Sequence, residues 1–270
     1  MRKAKPTDFS MVLADYLFVF LPTQKGLSDN TIRSYSDTLE LFLRFLENER
    51  GIKRERLEIA HISRPVVEDF LVWLEMERGS SASTRNQRRV ALNGFFRYLQ
   101  YRNPGYVLLC QQILSIPKKV GPRKNVEHIS MEAVAEILKQ PDLSTRIGRR
   151  DFALLTLLYE SAARVSEIAN LRVGDFQVDK HHGAVVRLYG KGRKVRTVPL
   201  TKSISELLQD YLRFESDLRP CSKDEPLFCN RSGKGLTREG ISYILRKYAG
   251  IAQDTAPDMQ TSKIHPHVFR

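Results

Sequence analysis

The sequence predicts a mainly α-helical protein with a small antiparallel β-sheet, divided into two domains by a basic linker. Three observations support this fold class. Apolar residues recur with helical spacing through most of the chain, and two β-branched runs around a Gly- and Lys-rich turn interrupt that spacing in the second half. Between the halves, "SIPKKVGPRKNVEHIS" combines prolines, a glycine and basic residues without an apolar period, which is typical of a linker. We expect domains over 1–115 and 129–270, joined by a linker over 116–128.

Four helices are predicted in the first half. The first, "MVLADYLFVFLPT", is amphipathic and apolar enough to be buried. The second follows a Ser28 or Asp29 cap and ends at Gly51, because glycine readily adopts the left-handed conformation after a helix. The third, "RPVVEDFLVWLEME", has Pro65 in its first turn, where the missing N–H costs no hydrogen bond. The fourth, "STRNQRRVALNGFFRYLQYR", runs to Asn103.

The second half changes from helices to strands and back again. A helix follows Ser130 ("MEAVAEILKQ"), and the next one, "RRDFALLTLLYESAA", is apolar nearly all round and should lie in the core. The segment "GAVVRLYGKGRKVRTVPLT" predicts a β-hairpin. Helices resume at "KSISELLQDYLRFE" and "TREGISYILRKYAGIA".

The net charge indicates a polyanionic partner. The chain carries +13 at pH 7, with a pI near 9.7, which favours nucleic acid or, less often, a membrane surface. The excess is spread over the chain, because residues 1–120 have 19 basic and 13 acidic side chains and residues 121–270 have 25 and 18. We therefore favour a partner that contacts both halves.

Cysteine usage and hydropathy favour a cytoplasmic protein without a membrane partner. Cys110, Cys221 and Cys229 lack metal-ligand spacing and suit a reducing cytosol better than a disulfide framework. The apolar stretch "MVLADYLFVFLPT" is too short to span a bilayer, carries Asp15 and lacks the cleavage site of a secretory signal.

Basic and hydroxyl side chains gather at helix starts, where free backbone N–H groups suit phosphates. The alternative is that they are ordinary caps and solvated faces. The candidate nucleic-acid contacts, including those of the linker and of the second half, are Thr31, Arg33, Ser34, Arg85, Arg88, Arg89, Lys118, Lys119, Lys194 and Arg238.

Four groups in the second half suit cleavage of a phosphodiester. Arg164 and Arg270 could hold the non-bridging oxygens through bidentate bonds, and Lys191 in the hairpin turn could protonate a leaving 5′-oxygen. His267 lies three residues before Arg270, which places both on one helical face where the histidine could pass a proton. Taken singly, each is more often a surface or ion-pair residue. No carboxylate cluster for a metal accompanies them, so we expect neither a metal nor another cofactor.

Three ordered motifs carry a resemblance to a known family. "ARVSEIANLRVGDF", "GKGRKVRTVPL" and "HPHVFR" resemble the first-arginine motif, the lysine hairpin and the His-x-x-Arg motif of tyrosine site-specific recombinases, the Xer and phage-integrase family. In the first half, "SDNTIRSYSDTLELFLRFL" and "STRNQRRVALNGFFRYL" resemble that family's helical core-binding domain. The similarity covers nearly the whole chain.

The resemblance implies a two-domain clamp around double-stranded DNA that exchanges strands through a 3′-phosphotyrosyl intermediate. It makes Arg164 and Arg270 the phosphate clamp, Lys191 the general acid and His267 the proton carrier, while Glu167 braces the site. Lys194 is a rival for Lys191. The resemblance also implies homo-tetramers on paired sites.

One part of the family pattern is absent. In relatives a further His or Trp and the tyrosine nucleophile follow the second arginine, whereas all ten tyrosines here precede Arg270. We therefore expect a C-terminally truncated recombinase that is inactive alone, with the apolar faces of "RRDFALLTLLYESAA" and of Val268 and Phe269 partly uncovered. Two alternatives stay open. One is a non-catalytic DNA-binding protein derived from a truncated recombinase, and the other is a helical DNA- or RNA-binding module whose cations merely neutralise phosphate.

Overall fold

The structure, a computed structural model, describes residues 5–121, 129–179, 183–190, 192, 194–217, 222–255, 264, 266 and 269. The chain divides into two compact units, Met1–Lys124 and Asn125–Arg270. Each has its own hydrophobic core. The fold class is confirmed, because the described residues are mostly helical and include one small antiparallel sheet.

The first unit is a bundle of helices around an aromatic core. Its α-helices are α1 (Asp8–Asp15), α2 (Asp29–Arg50), α3 (Arg64–Met76), α4 (Ala82–Arg102) and α5 (Val107–Leu114). Between α1 and α2 the chain continues as a π-helix over Tyr16–Gln24. In the core, the Phe42 and Phe70 rings meet edge to face with their centroids 5.1 Å apart.

Local sequence signals set the helix ends of this unit. Gly51 follows α2 with a φ of 67°, and Pro65 lies in the first turn of α3, both as predicted. The N-cap of α4 is Ser81, whose hydroxyl accepts the backbone N–H of Thr84. Ser28 is the N-cap residue of α2, and its hydroxyl bonds to the Thr31 hydroxyl.

Helix α5 was not predicted from the sequence. Asn103 does end α4, but its side chain accepts the N–H of Gly105 and the chain turns directly into α5. This helix buries Cys110 and Ile113 against the core of the first unit. Eight residues show too few helical turns for an apolar period to be recognised in sequence.

The predicted linker begins inside the first unit. Ile116 is buried in its core, and its carbonyl accepts a 2.6 Å hydrogen bond from Arg89. The Asn86 amide both donates to and accepts from the backbone of Lys119. Residues 116–119 are thus fixed on the first unit, and residues 122–128 lie outside the described part of the chain.

The described residues of the second unit form five α-helices and a three-stranded sheet. The helices are α6 (Met131–Lys139), α7 (Arg146–Glu160), α8 (Val165–Ala169), α9 (Lys202–Ser216) and α10 (Arg238–Thr255), and the strands are β1 (Phe176–Asp179), β2 (Gly183–Tyr189) and β3 (Val195–Leu200). The sheet order is β1-β2-β3, antiparallel throughout. The predicted hairpin is β2 and β3, whereas β1 was missed because four residues are too few to show alternation.

A buried polar network ties α7 to α10. The Asp151 carboxylate is paired with Arg150 and accepts a 3.0 Å hydrogen bond from the Tyr248 hydroxyl. Burial, followed by the Asp151 charge, raises the pKa of Tyr248. Because the buried carboxylate has partners on both sides, its desolvation is compensated.

The expectation of uncovered apolar faces is wrong for the residues that the structure describes. On α7, Leu154 and Leu158 are fully buried, and so is Phe269. The Phe269 ring lies 5.7 Å from the Tyr159 ring, centroid to centroid. Helices α6, α9 and α10 cover the core that we expected to be open. Val268 lies outside the described residues.

Candidate functional site

A sharp turn between α7 and α8 presents Arg164. Ala162 adopts the left-handed conformation with a φ of 44°, which is unusual for a residue with a Cβ atom. Arg164 follows as the N-cap residue of α8 with an extended backbone. Its side chain is 51% exposed, so the guanidinium group can reach a ligand.

The buried Glu167 carboxylate holds Arg164 in place through two hydrogen bonds. Its side chain is 1% exposed, and one carboxylate oxygen, Oε2, accepts the backbone N–H of Arg164 at 2.8 Å. The other oxygen, Oε1, accepts Nη1 of the same arginine at 3.0 Å. Within the described part of the chain, Nε and Nη2 of Arg164 form no hydrogen bond, so this edge of the guanidinium can bind a bidentate anion.

A second arginine, which the sequence analysis did not select, shares the same carboxylate. Arg196 on β3 donates from Nη2 to Glu167 Oε2 at 2.8 Å and to the Ala162 carbonyl at 3.4 Å. Its side chain is 43% exposed. Two guanidinium groups on one carboxylate leave one excess positive charge at this place.

The Glu167 carboxyl is ionised at neutral pH. Burial by itself raises its pKa, but hydrogen bonds from the Arg164 backbone N–H and from the Arg196 and Arg164 guanidinium groups outweigh burial and lower the pKa. An ionised Glu167 pairs with both arginines, which is what keeps a buried charge tolerable.

The turn of the lysine hairpin lies against this cluster. The Gly190 N–H donates to the Lys194 carbonyl at 2.8 Å, which closes the turn. A Cβ atom on Gly190 would stand 3.2 Å from Glu167 Oε1 and 3.9 Å from Arg164 Nη1. The backbone of the turn therefore passes directly beside Arg164. Lys191 follows Gly190 in the chain but lies outside the described residues.

The last motif is described in part. His267 and Arg270 lie outside the described residues, whereas Ile264 and Phe269 are buried in the same core as α7 and α8. Phe269 and its partner Tyr159 link this segment to the helix that leads into Arg164. The convergence of Arg164 with Lys191, His267 and Arg270 stays a prediction.

The candidate nucleic-acid contacts of the first unit differ in whether their side chains already form hydrogen bonds within the protein. Arg33, Ser34 and Lys118 are exposed, and their side chains make no bond within the described ranges. The Thr31 hydroxyl is bonded to Ser28. A groove of about 950 Å³ beside the start of α4 is lined by Ser34, Lys118 and several further polar side chains. These exposed groups suit a phosphate backbone better than the bonded ones do.

The arginines of α4 are engaged within the first unit. Arg88 donates to the Thr38 hydroxyl at 2.9 Å, and Arg89 donates to the Ile116 carbonyl. Arg85 and Lys119 both lie beside the Glu75 carboxylate, at 3.5 and 2.9 Å. The alternative that these are ordinary structural residues accounts for Arg88, Arg89 and Lys119, whose hydrogen bonds support a helix or the start of the linker. Arg85 differs, because its buried Nε and Nη1 have no hydrogen-bond partner among the described residues.

Two candidate contacts belong to the second unit. Lys194 is exposed at the end of the lysine turn. Arg238 is the first residue of α10 and 60% exposed, with a 3.8 Å ion pair to Glu239 that is too open to hold it.

Two general features of the described residues bear on the kind of site. No three His, Cys, Asp or Glu side chains in those ranges are grouped as metal ligands. Nor does any helix there combine the length and the hydropathy that a membrane span requires.

Family comparisons agree with this geometry. Residues 124–270 match the family model "Phage integrase family", and residues 15–103 match "Phage integrase, N-terminal SAM-like domain". The first of these regions contains Arg164, Glu167 and Arg196.

Curated relatives match over almost the whole chain. A putative integrase/recombinase, y4rC, of Sinorhizobium fredii is 33% identical over 98% of this chain and 78% of its own length. The tyrosine recombinase XerD of Listeria monocytogenes is 29% identical over 96% of this chain and 82% of its own length.

Solved structures share the fold. The XerH site-specific recombinase bound to a palindromic difH substrate, a post-cleavage complex, superposes with a TM-score of 0.69 at 22% sequence identity. The match covers 88% of this chain and 66% of the XerH chain, so this chain spans less than two thirds of that protein. With the family model over more than half of its length and a relative at 33% identity, the chain belongs to the phage integrase family, the tyrosine recombinases.

Proposed function

We propose that the protein carries out site-specific DNA recombination by cleaving and rejoining DNA strands. The observation that carries this proposal is the half-exposed Arg164 guanidinium, braced on the buried Glu167 with Nε and Nη2 directed away from that bond, beside the lysine turn. Such a fork binds the oxygens of one phosphate and stabilises the charge that develops there in the transition state.

The remaining roles follow from the chemistry of phosphodiester cleavage. Arg270 is the second phosphate clamp, Lys191 donates a proton to the leaving 5′-oxygen, and His267 passes a proton on the attacking side. The nucleophile is the tyrosine that follows the second arginine in the family pattern, a position that none of the ten tyrosines of residues 1–270 occupies. Its oxygen attacks phosphorus and forms a 3′-phosphotyrosyl bond while the 5′-oxygen leaves. A 5′-hydroxyl of the partner strand then attacks that bond and releases the tyrosine.

Both units contact the duplex in this proposal. We keep a core-binding domain over 1–115, a linker over 116–128 and a catalytic domain over 129–270. The division of the chain between Lys124 and Asn125 falls inside that linker, whose first residues are packed on the first unit. The exposed Arg33, Lys118, Lys194 and Arg238 contribute to phosphate binding. Homo-tetramers on paired DNA sites complete the proposal, because exchange needs four strands to be cut and joined.

A covalent-adduct experiment tests the function. Target duplexes are first selected from a random pool, and a nicked version is then incubated with the protein expressed from its complete reading frame. We expect a band that survives denaturation and disappears after protease treatment. Arg164→Gln abolishes this band but leaves duplex affinity within about threefold, since it removes one phosphate contact among several.

Two outcomes would contradict the recombinase proposal. An adduct that forms equally well with Arg164→Gln would remove Arg164 from the site. Tight duplex binding without any adduct would instead favour a non-catalytic DNA-binding protein.

A further inference from the structure

Arg196 joins the lysine hairpin to the turn that carries Arg164. We propose that Arg196 is a positioning residue, which fixes the lysine-bearing turn against Arg164 through the shared Glu167 carboxylate. This inference rests on the proposed function, because the position of the turn matters for catalysis only if Arg164 binds the phosphate.

One end of the turn is anchored through β3. Arg196 pairs in register with Leu188 on β2, and it is the second residue of β3 after the turn. Both acceptors of its Nη2 group, Glu167 Oε2 at 2.8 Å and the Ala162 carbonyl at 3.4 Å, belong to the segment around Arg164. The guanidinium therefore connects two elements that are distant in sequence.

The other end of the turn rests on the same carboxylate. Gly190 lies so close to Glu167 Oε1 that a Cβ atom would stand 3.2 Å from it, and the Gly190 N–H closes the turn onto Lys194. The chain thus enters and leaves the turn beside Glu167. Lys191 falls between these two anchored positions in the sequence.

The Arg196–Glu167 pair is buried on the carboxylate side, although the Arg196 side chain is 43% exposed. The carboxylate is 1% exposed, so this charge-assisted bond is less screened than a surface ion pair. Without Arg196, β3 loses its link to the Arg164 segment and Glu167 keeps one guanidinium partner. Gly190 and Lys194 can then move relative to Arg164, and a phosphate bound at Arg164 is held less firmly.

Three variants of the full chain test the proposal: Arg196→Met, Arg196→Lys and the control Arg213→Met. Arg213 is a good control because it is a 76% exposed arginine of the same unit in a loose 3.7 Å ion pair. The first readout is hydrogen exchange at the Gly190 amide, compared with the slowest amides of α7. The second is the affinity for inorganic phosphate, read from the Arg164 Nε–H signal in ¹⁵N spectra.

For Arg196→Met we expect Gly190 exchange to accelerate at least about tenfold more than the α7 amides do, which report global unfolding. Phosphate affinity should weaken about tenfold, as expected for the loss of one charge-assisted interaction. Non-specific duplex affinity should change less than about twofold, because many other cations contribute to it. Arg196→Lys should change Gly190 exchange and phosphate affinity less than Arg196→Met does, because lysine keeps the positive charge but lacks the planar guanidinium group.

The outcomes that overturn the proposal are distinct from a failure of the proposed function. Equal acceleration of Gly190 and the α7 amides would make Arg196 a general stabilising residue. Unchanged Gly190 exchange in Arg196→Met would show that Arg196 does not anchor the turn. If Arg196→Met accelerates Gly190 exchange just as much in a Glu167→Gln background, Glu167 does not connect Arg196 to the turn. A wild-type Arg164 signal that ignores phosphate counts against the proposed function, whereas Gly190 exchange still decides the role of Arg196.

Discussion

At Glu167, one buried carboxylate serves two arginines that come from different elements. It accepts the backbone N–H and the guanidinium of Arg164, and it also accepts the guanidinium of Arg196. Both arginines can still bind an anion, because each side chain stays about half exposed. The buried negative charge thus orients two positive groups and leaves one net positive charge.

The lowered pKa of Glu167 predicts a pH dependence of stability. A carboxyl whose pKa is lower in the folded protein stabilises the fold above its ordinary pKa of 4.5, and this stabilisation is lost as the pH falls through the lowered value. We expect Glu167→Gln to flatten the decrease in unfolding free energy below pH 4.5, as measured by urea titrations at several pH values. Glu206→Gln, at a 61% exposed carboxylate, is the control. Identical slopes for wild type and Glu167→Gln would contradict the ion-pair account.

Sequence reasoning found Arg164 and Glu167 but not Arg196, for a physical reason. The first two lie three residues apart, so one short motif contains both. The partner of Arg196 lies 29 residues earlier in the chain, and the pair becomes visible once the hairpin has been placed beside α8. The basic side chains of α4 show the converse. Their position at a helix start suggested DNA contacts, whereas the fold uses Arg88 and Arg89 for internal hydrogen bonds.

At the scale of elements, two glycines allow close approach where any side chain would collide. Gly190 lets the lysine turn pass the Glu167 carboxylate, and Gly148 lets the first turn of α7 contact the preceding loop. A Cβ atom on Gly148 would stand 2.0 Å from the Asp142 carbonyl oxygen. The hairpin and most helices were predictable from periodicity and caps, whereas α5, α8 and β1 were too short to show a period.

Gly148→Ala should destabilise the second unit strongly. The added methyl group meets backbone atoms that cannot rotate away, so we expect a loss of about 2–3 kcal/mol, in the range of overpacked sites. Thermal unfolding measures it. Gly250→Ala in α10 is the matched control, because no atom beyond its chain neighbours and the backbone of its own helix lies within 4 Å of its Cβ position. This substitution should be neutral or stabilising by up to about 1 kcal/mol. Equal effects of the two substitutions would contradict the packing of α7 on the 142 loop.

Gly190→Ala should affect the site more than the stability. Its methyl group forces the turn or Glu167 to shift by a few tenths of an ångström, since 3.2 Å is a tight contact. We expect phosphate affinity to fall roughly threefold to tenfold, because misplacement by a fraction of an ångström weakens directed bonds, with little change in melting temperature. The same phosphate titration as for Arg196→Met measures it. Unchanged affinity would place the turn away from the anion.

At the scale of the whole molecule, positive charge is carried by both units. The net charge of +13 is divided almost equally along the sequence, and exposed cations occur in each unit. Charge that is shared in this way suits a partner that is itself a long, uniform polyanion. The family membership supports this interpretation. The charge distribution can be read from the sequence alone, without knowledge of the fold.

Duplex affinity should therefore fall steeply with salt, and each unit should contribute. Every neutralised phosphate contributes a slope of about −0.9 in the logarithm of affinity against the logarithm of salt concentration. We expect Arg33→Glu in the first unit and Lys194→Glu in the second each to reduce the slope by about 1. Fluorescence anisotropy at several salt concentrations measures it, with Arg44→Glu, whose parent side chain is paired with Glu40, as the control. A slope that responds to one unit alone would contradict binding by both.

In the proposed function, Arg164 neutralises the phosphate at which the strand is cut. The most direct measurement compares strand cleavage by wild type and Arg164→Ala on two duplexes, one normal and one with an uncharged methylphosphonate at the scissile position. On the normal duplex we expect Arg164→Ala to be slower by on the order of 10²–10³. On the methylphosphonate duplex the difference should nearly vanish, because the charge that Arg164 offsets is gone. An equal deficit on both duplexes would contradict the claim.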